Sequence, residues 1–507
     1  MQGFEWYVPA DQGHWRRLRR ALPDLKDIGI DNIWIPPGCK AMSPSGNGYD
    51  IYDLYDLGEF DQKGSRATKW GSKEELQELT WAAEDLGMGI YWDAVLNHKA
   101  AADYTERFLA VRVDPQRRDI EIARPEEIVG WVGFEFPGRG DIYSSMKYHW
   151  WHFTGIDWDD SQRTSAIYKI VGPNKGWATD VSKEHGNYDF LMFADLDYSR
   201  PDVQRDVLQW GEWIGTELPL RGMRIDGAKH FSAAFQKKFV DHLRKTFGPD
   251  YFIIGEYLDR DLNVILAYLG KMEYQLSVLD VPLAGRMSDI SELEGGDLRK
   301  IFDNTLVGVK PANAVCPIAS FFKPLAYALI LLRSQGQPCL FYGDLYGMRG
   351  GCKHPLRPSC NGRLPILTRA RKMYAYGEQR DYFDRRNCIG PSCPLTSPFF
   401  TKYSMRLTET GFVRYGNRRH PAGLACVISN AKTSEKRMYV GRKHAGEQWT
   451  DILGWHTDIV NIDDRGYGVF PVNAMSVSVW VNAAAEGRGT LDRFLYVVLI
   501  LIRCIVF

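Results

Sequence analysis

The segment "GMRIDGAKH", Gly222 to His230, sets an arginine two residues before an aspartate, with a lysine and a histidine just after it. Leu220, Met223 and Ile225, interleaved with small and polar residues, suit the end of a buried strand, in which alternate side chains share a face. Arg224 and Asp226 then project to one side, and the guanidinium keeps the carboxylate ionised and oriented. A carboxylate so held suits a nucleophile better than a proton donor. An isolated R-x-D pair is more often a structural ion pair, so a second acid is needed to make chemistry of it. "YFIIGEY", Tyr251 to Tyr257, reads as another buried strand and closes on Glu256, whose apolar flank is expected to raise its pKa so that it carries a proton. Parallel neighbours spaced about 4.8 Å apart would bring the two carboxyl groups close. Retaining glycosidases hold such a pair about 5 to 5.5 Å apart, one attacking the sugar while the other protonates the leaving oxygen.

Positioning these groups requires a sheet of parallel strands. "DNIWIPP", "GIYWDAVLNH", "LRGMRIDG", "YFIIGEY" and "PCLFYGD" read as buried strands, and "KEELQELTWAAEDLG", "RDVLQWGEWIGTEL", "FSAAFQKKFVDHLRKTFG" and "FFKPLAYALILLRSQG" as helices between them. This alternation predicts an α/β fold, either an open doubly wound sheet or a closed eight-stranded barrel. Residues 99–205, rich in Asp, Gly, Tyr and Trp, break the rhythm and read as an inserted domain. From residue 386 to 485, alternating apolar and polar residues with turn signals between them predict an antiparallel domain. The predicted order is therefore barrel (1–98), insert (99–205), barrel (206–385), β domain (386–485) and an apolar tail (486–507).

Lysine plus arginine and aspartate plus glutamate each number 63, which leaves no basic field for nucleic acid and points to a neutral partner. The 16 Trp, 26 Tyr and 24 Phe offer flat apolar faces for a ligand rich in hydroxyls. Nine scattered cysteines without a C-x-x-C pair suit a reducing compartment, and the first residues lack the pattern of a secretory signal, so a cytoplasmic monomer is expected. The tail "FLYVVLILIRCIVF" is interrupted by Arg503 and falls short of the ~20 residues of a spanning helix, so no membrane association is expected.

Taken in order, "DAVLNH", "GMRIDGAKH" and "GEY" resemble three of the four signature segments of the alpha-amylase family of glycoside hydrolases. "GNGYDIYDLYDLGEFDQKGSRATKWG", "NYDFLMFADLDYSRPDV" and "FFKPLAYALILLRSQGQPCLFYGD" are similar to the liquefying bacterial amylases and their intracellular fungal relatives. The resemblance implies a (β/α)8 TIM barrel with an insert after its third strand and a C-terminal β-sandwich. It also implies retaining cleavage of α-1,4-glucans. By the same resemblance Asp226 is the nucleophile, Glu256 the general acid/base and Arg224 the partner of Asp226. His98, Lys229 and His230 are implied to contact sugar hydroxyls, with Tyr49 as the platform under the attacked ring. Asn97, Asp189, Asp195 and the main-chain carbonyl of His230 match a structural calcium (Ca2+) site, and their hard oxygen ligands suit that ion.

One segment departs from the family. A seventh barrel strand bearing Asn-His-Asp should precede "FFKPLAYA", yet the chain reads "ANAVCPIASFFKP", Ala312 to Pro324, with no Asp, Glu or His. Only Ala314 to Cys316 remain to form a strand before Pro317. "PSCPLTSPFFTKYSMRLTETG", Pro391 to Gly411, and the apolar tail also look foreign to the pattern. A catalytically silent glucan-binding protein and a 4-α-glucanotransferase are the alternative readings.

Overall fold

The computed structural model describes residues 1–292, 296–318, 323–348, 357–383 and 409–493. Residues 384–408, which hold most of the unfamiliar Pro391–Gly411 stretch, and the tail from 494 lie outside the described residues.

The chain forms two compact units, residues 1–26 with 31–279 and residues 27–30 with 280–507. The first carries parallel strands Asn32–Trp34, Gly89–Ala94, Gly222–Ile225, Phe252–Gly255 and Ser277–Leu279, each hydrogen-bonded to the next. Gln2 bridges in parallel to Trp34 at the outer edge. These short apolar runs are buried on both faces, which explains their lack of polar alternation. The helices between them begin where sequence chemistry permits. Ser72 caps Lys73–Asp85 in a reciprocal box with Glu75, a proline opens Pro201–Glu217, and Ser232 caps Ala233–Phe247, which ends at Gly248 with φ 95°.

The expected insert contains an antiparallel sheet. Strands Tyr104–Asp114, Glu126–Gly133, Phe153–Asp159 and Thr164–Ile170 pair within it, and Ala194–Leu196 joins it to His98–Lys99. That last pairing sets Asp195 opposite His98. Asp195, distant in sequence, is thereby delivered to the end of the Gly89–Ala94 strand.

In the second unit, Ala314–Cys316 forms a buried three-residue strand, parallel to Gln337–Pro338. The remnant of the expected seventh strand is thus a strand, cut short by Pro317. "PCLFYGD" departs from its predicted strand: the ladder ends once the Cys339 N–H has donated to the Cys316 carbonyl at 3.0 Å, and Tyr342–Tyr346 is helical. Asp344 stabilises this turn of helix, accepting from Ser359 Oγ at 2.6 Å and from the Tyr327 hydroxyl at 2.7 Å. Downstream, Gln379–Asp381, Glu409–Arg414, Leu424–Ser429, Ser476–Asn482, Gln448–Asp451 and Ile459–Asn461 form an antiparallel sheet in that order. Trp449, Trp480, Val427 and Phe470 pack in its core.

Candidate active site

Register places the two acids. Gly222 through Ile225 pair residue for residue with Phe252 through Gly255, so Asp226 and Glu256 are the next residues on adjacent strands. Their backbones stay in the ladder: Asp226 N–H donates to the Ala94 carbonyl at 3.0 Å, and Glu256 N–H to the Ile225 carbonyl at 2.9 Å. Arg224, one turn of the pleat behind Asp226, is 3% exposed and serves both acids. Its Nη1 lies 2.8 Å from Asp226 Oδ1, and its Nη2 lies 2.5 Å from Glu256 Oε1.

A third carboxylate, absent from the sequence-based set, completes this arrangement. Asp93 lies opposite Arg224 in the register and contacts its Nη1 at 2.5 Å. Asp93 also accepts from the Tyr49 hydroxyl at 2.8 Å and the Trp34 indole at 2.9 Å. The guanidinium lies 4.5 Å from the Trp34 ring centroid, a cation–π contact that adds to its fixation. The clue in the sequence is the alternation of "GIYWDA", which puts Asp93 on the same face of its strand as Tyr91.

Three buried carboxylates around one guanidinium carry excess negative charge if all ionise, which disfavours full ionisation of the group. Burial pushes Asp226 well above the ordinary carboxylate range, and the nearby Glu256 and Asp93 outweigh part of what Arg224 offsets. Burial likewise raises Asp93 against the pull of Arg224. Glu256 behaves oppositely. Burial disfavours its anion, but Arg224 and the Gly227 N–H, which donates to it at 3.1 Å, hold its pKa below the ordinary value. This corrects two expectations: that apolar sequence neighbours would raise Glu256, and that Arg224 would keep Asp226 ionised, since burial outweighs the arginine there. At Glu256 the arginine from the adjacent strand dominates the residues next to it in the chain. The charge of each acid acts on the other, so Asp226 and Glu256 titrate as a pair and a proton can pass between the two roles.

The other expected site residues surround this centre. Tyr49 follows Gly48, whose φ of +93° and proximity to the Pro37 carbonyl, 2.4 Å from where a Cβ would stand, require glycine. Trp6, which is 58% exposed, stacks on Tyr49 with centroids 5.8 Å apart and planes 5° from parallel; it too was missed in the sequence. His98 is buried and neutral, its pKa pushed down to about 4 by desolvation, and its Nε2 hydrogen-bonds to the Tyr49 carbonyl at 2.8 Å. His230 is likewise lowered to about 4 by burial, with Nδ1 3.0 Å from the Tyr188 carbonyl. Lys229 is engaged by Glu184 at 2.5 Å and by the Leu258 carbonyl at 3.0 Å.

Asn97, Asp189 and Asp195 come together beside the insert sheet. Asn97 Nδ2 donates to Asp195 Oδ1 at 2.9 Å, while its Oδ1 is buried with no hydrogen-bond partner. Asp189 is raised to about 7 by burial, and Asp195 is raised by burial and by Asp189 beside it. Asp197 pairs with Lys175 at 2.6 Å, whereas Asp189 and Asp195 form no salt bridge among the described residues. An unused amide oxygen next to two buried carboxylates is a donor set that fits a hard divalent ion. Among the described residues no group of three or more His, Cys, Asp or Glu side chains could hold a metal, so such a site here depends on neutral oxygens as well.

Parallel strands whose C-terminal ends carry paired acids around one arginine form a candidate glycosidase centre on a TIM-barrel scaffold, with a C-terminal β domain. The comparisons agree. The family described as alpha amylase, catalytic domain, matches residues 3–279, and the alpha-amylase C-terminal family matches residues 424–481. The alpha-amylase of Bacillus licheniformis is 42% identical, covering 95% of this chain and 93% of the relative. The cytoplasmic alpha-amylase of Escherichia coli is 33% identical, covering 95% and 98%. Among solved structures, the Geobacillus thermoleovorans alpha-amylase complexed with acarbose has a TM-score of 0.59 at 16% identity, covering 93% of this chain and 92% of that one. The chain belongs to the alpha-amylase family of glycoside hydrolases.

Proposed function

We propose that the chain's site is built to cleave α-1,4-linked glucans by double displacement with retention of configuration, using Asp226 as nucleophile and Glu256 as general acid/base. The observation that carries this reading is the placement of Asp226 and Glu256 in register at the ends of adjacent strands, both bound by the one Arg224 at 2.8 and 2.5 Å. An inverting pair needs about 6.5 to 9.5 Å for a water between its carboxyl groups. A proton on this pair supplies the acid step. When a glycosidic oxygen reaches Glu256, the proton is held there and given to that oxygen, while Asp226, stabilised as an anion by Arg224, bonds to the sugar C1. Water then replaces the carboxylate, giving its proton to Glu256. Tyr49 is the ring platform, with His98, Lys229 and His230 placed for sugar hydroxyls once a substrate competes for their present partners.

Asn97, Asp189, Asp195 and the His230 carbonyl would hold Ca2+, which would neutralise the buried carboxylates and pin the insert sheet to the strand end carrying His98. Chelation of a calcium-loaded sample is therefore expected to lower its melting temperature by mass action. An unchanged transition in excess chelator would count against this site. No helix among the described residues is long and apolar enough to cross a membrane. We place the protein in the cytoplasm as a monomer, as its cysteine usage suggests. Release of reducing ends from starch tests the function. Glucan exchange without net release would make the chain a 4-α-glucanotransferase, and affinity without either would make it a binding protein.

A further inference from the structure

A second concavity, of about 660 Å³, opens in the second unit between the end of helix Leu364–Met373, the turn at Arg419–Ala422, the turn Arg442–His444 and the segment Asn482–Gly487. Two of its cations, Lys443 and Arg419, form no ion pair among the described residues. Lys443 Nζ donates to the main-chain carbonyls of Tyr415 and Pro421, both at 2.9 Å. These bonds fix the ammonium and leave the third of its protons for a ligand. Arg419 is exposed on the same cleft, with no carboxylate partner among the described residues. His420 stacks face to face on Tyr376, centroids 3.8 Å apart and planes 8° from parallel, which fixes its imidazole beside Arg419.

The cleft's two carboxylates, Glu447 and Glu486, pair with neither Arg419 nor Lys443 among the described residues. Glu447 Oε2 is engaged by His444 Nδ1 at 2.8 Å and by Trp449 Nε1 at 2.9 Å. Glu486 offers one exposed carboxylate, and its main-chain carbonyl is tied by the Tyr374 hydroxyl at 2.9 Å. Arg419 and Lys443, neither of them ion-paired with a carboxylate among the described residues, turn free donors toward one concavity, and such donors attract an anion. The volume lies in the range of pockets for small organic molecules and exceeds what an inorganic ion needs.

We infer that this cleft binds a phosphate monoester borne on a sugar, with Arg419 and Lys443 donating to the phosphate oxygens. The phosphate half of this assignment rests on the cations; the sugar half rests on the reading of the chain as a glucan-acting enzyme. Two sources share this chemistry, a free sugar phosphate and a phosphate ester on a glucan chain.

Calorimetric titration of the full chain at constant ionic strength separates them, using inorganic phosphate, glucose 6-phosphate, a phosphorylated maltodextrin and unphosphorylated maltotriose as probes. Phosphorylated probes are expected to bind, and Arg419→Gln and Lys443→Gln each to weaken them about tenfold, the worth of one charge-assisted hydrogen bond. Maltotriose affinity is expected to be the same in both variants. Glucose 6-phosphate binding more tightly than the phosphorylated dextrin would identify a free ligand, and the reverse a polymer; either supports the site. Because both positions are exposed, unchanged melting curves will show that the variants fold. Equal phosphate affinity in wild type and both variants, or no binding of any phosphorylated probe, would overturn the proposal. Loss of maltotriose binding alone would instead count against the glucan-cleaving reading.

Discussion

Replacing Arg224 with methionine is expected to destabilise the fold by about 3 to 5 kcal/mol at pH 8, the usual consequence of stripping one partner from a buried ionic group. Methionine fills much of the same volume, so the loss reports charge rather than a cavity. Asp93, Asp226 and Glu256 would be left with no guanidinium at 2.5 to 2.8 Å. The pH dependence follows from sign. Without the arginine, burial raises all three carboxyl pKa values above their unfolded values. Groups raised in the folded state are fully tolerated below the unfolded pKa, and cost stability as pH climbs through and beyond it. The penalty of Arg224→Met should therefore be smaller near pH 4 than at pH 8. Denaturant unfolding of both proteins across that range checks this, and a penalty that is absent or independent of pH would mean the three acids are not held by Arg224.

The second large effect concerns the strand Ala314–Cys316. It is buried and paired, but Pro317 ends it before any Asn-His-Asp could stand at its tip. The oxocarbenium-like transition state then lacks a carboxylate that the family resemblance places there. Loss of one preorganised electrostatic group costs about 10² to 10³ in turnover, and groups acting together can cost more. The 507-residue chain is expected to show little or no starch hydrolysis. Restoring a full strand bearing Asn-His-Asp before "FFKPLAYA" is expected to recover that factor, compared at matched folded fraction. Comparable turnover of the two forms would mean that another residue does this work.

Asp226, Glu256 and Arg224 were legible because period-two alternation and an apolar run announce a strand end, and adjacent parallel strands need only one assumption about register. Asn97, Asp189 and Asp195 could be matched through the family resemblance, although their meeting depends on the pairing of Asp195 with His98. What stayed hidden was set by neighbours in space. Alternation in "GIYWDA" gives the face of Asp93 but not its partner, because Arg224 stands opposite it on another strand. Glu256 lost its expected high pKa to an arginine on another strand. Lys229 pairs with Glu184, 45 residues away in sequence, before any sugar arrives. The helix Tyr342–Tyr346 replaced the end of a predicted strand, held by hydrogen bonds that Asp344 accepts from Ser359 and Tyr327, contacts set in space and not by neighbours in the chain.

The central claim, that Asp226 attacks the sugar while Glu256 moves the proton, is tested most directly by the anomeric configuration of newly formed products. Proton NMR of a maltooligosaccharide digest by the strand-restored chain, followed from the first minutes, is predicted to show the α-anomer first, with the β-anomer appearing only through slow mutarotation. First appearance of the β-anomer would mean a single displacement by water and would contradict the mechanism.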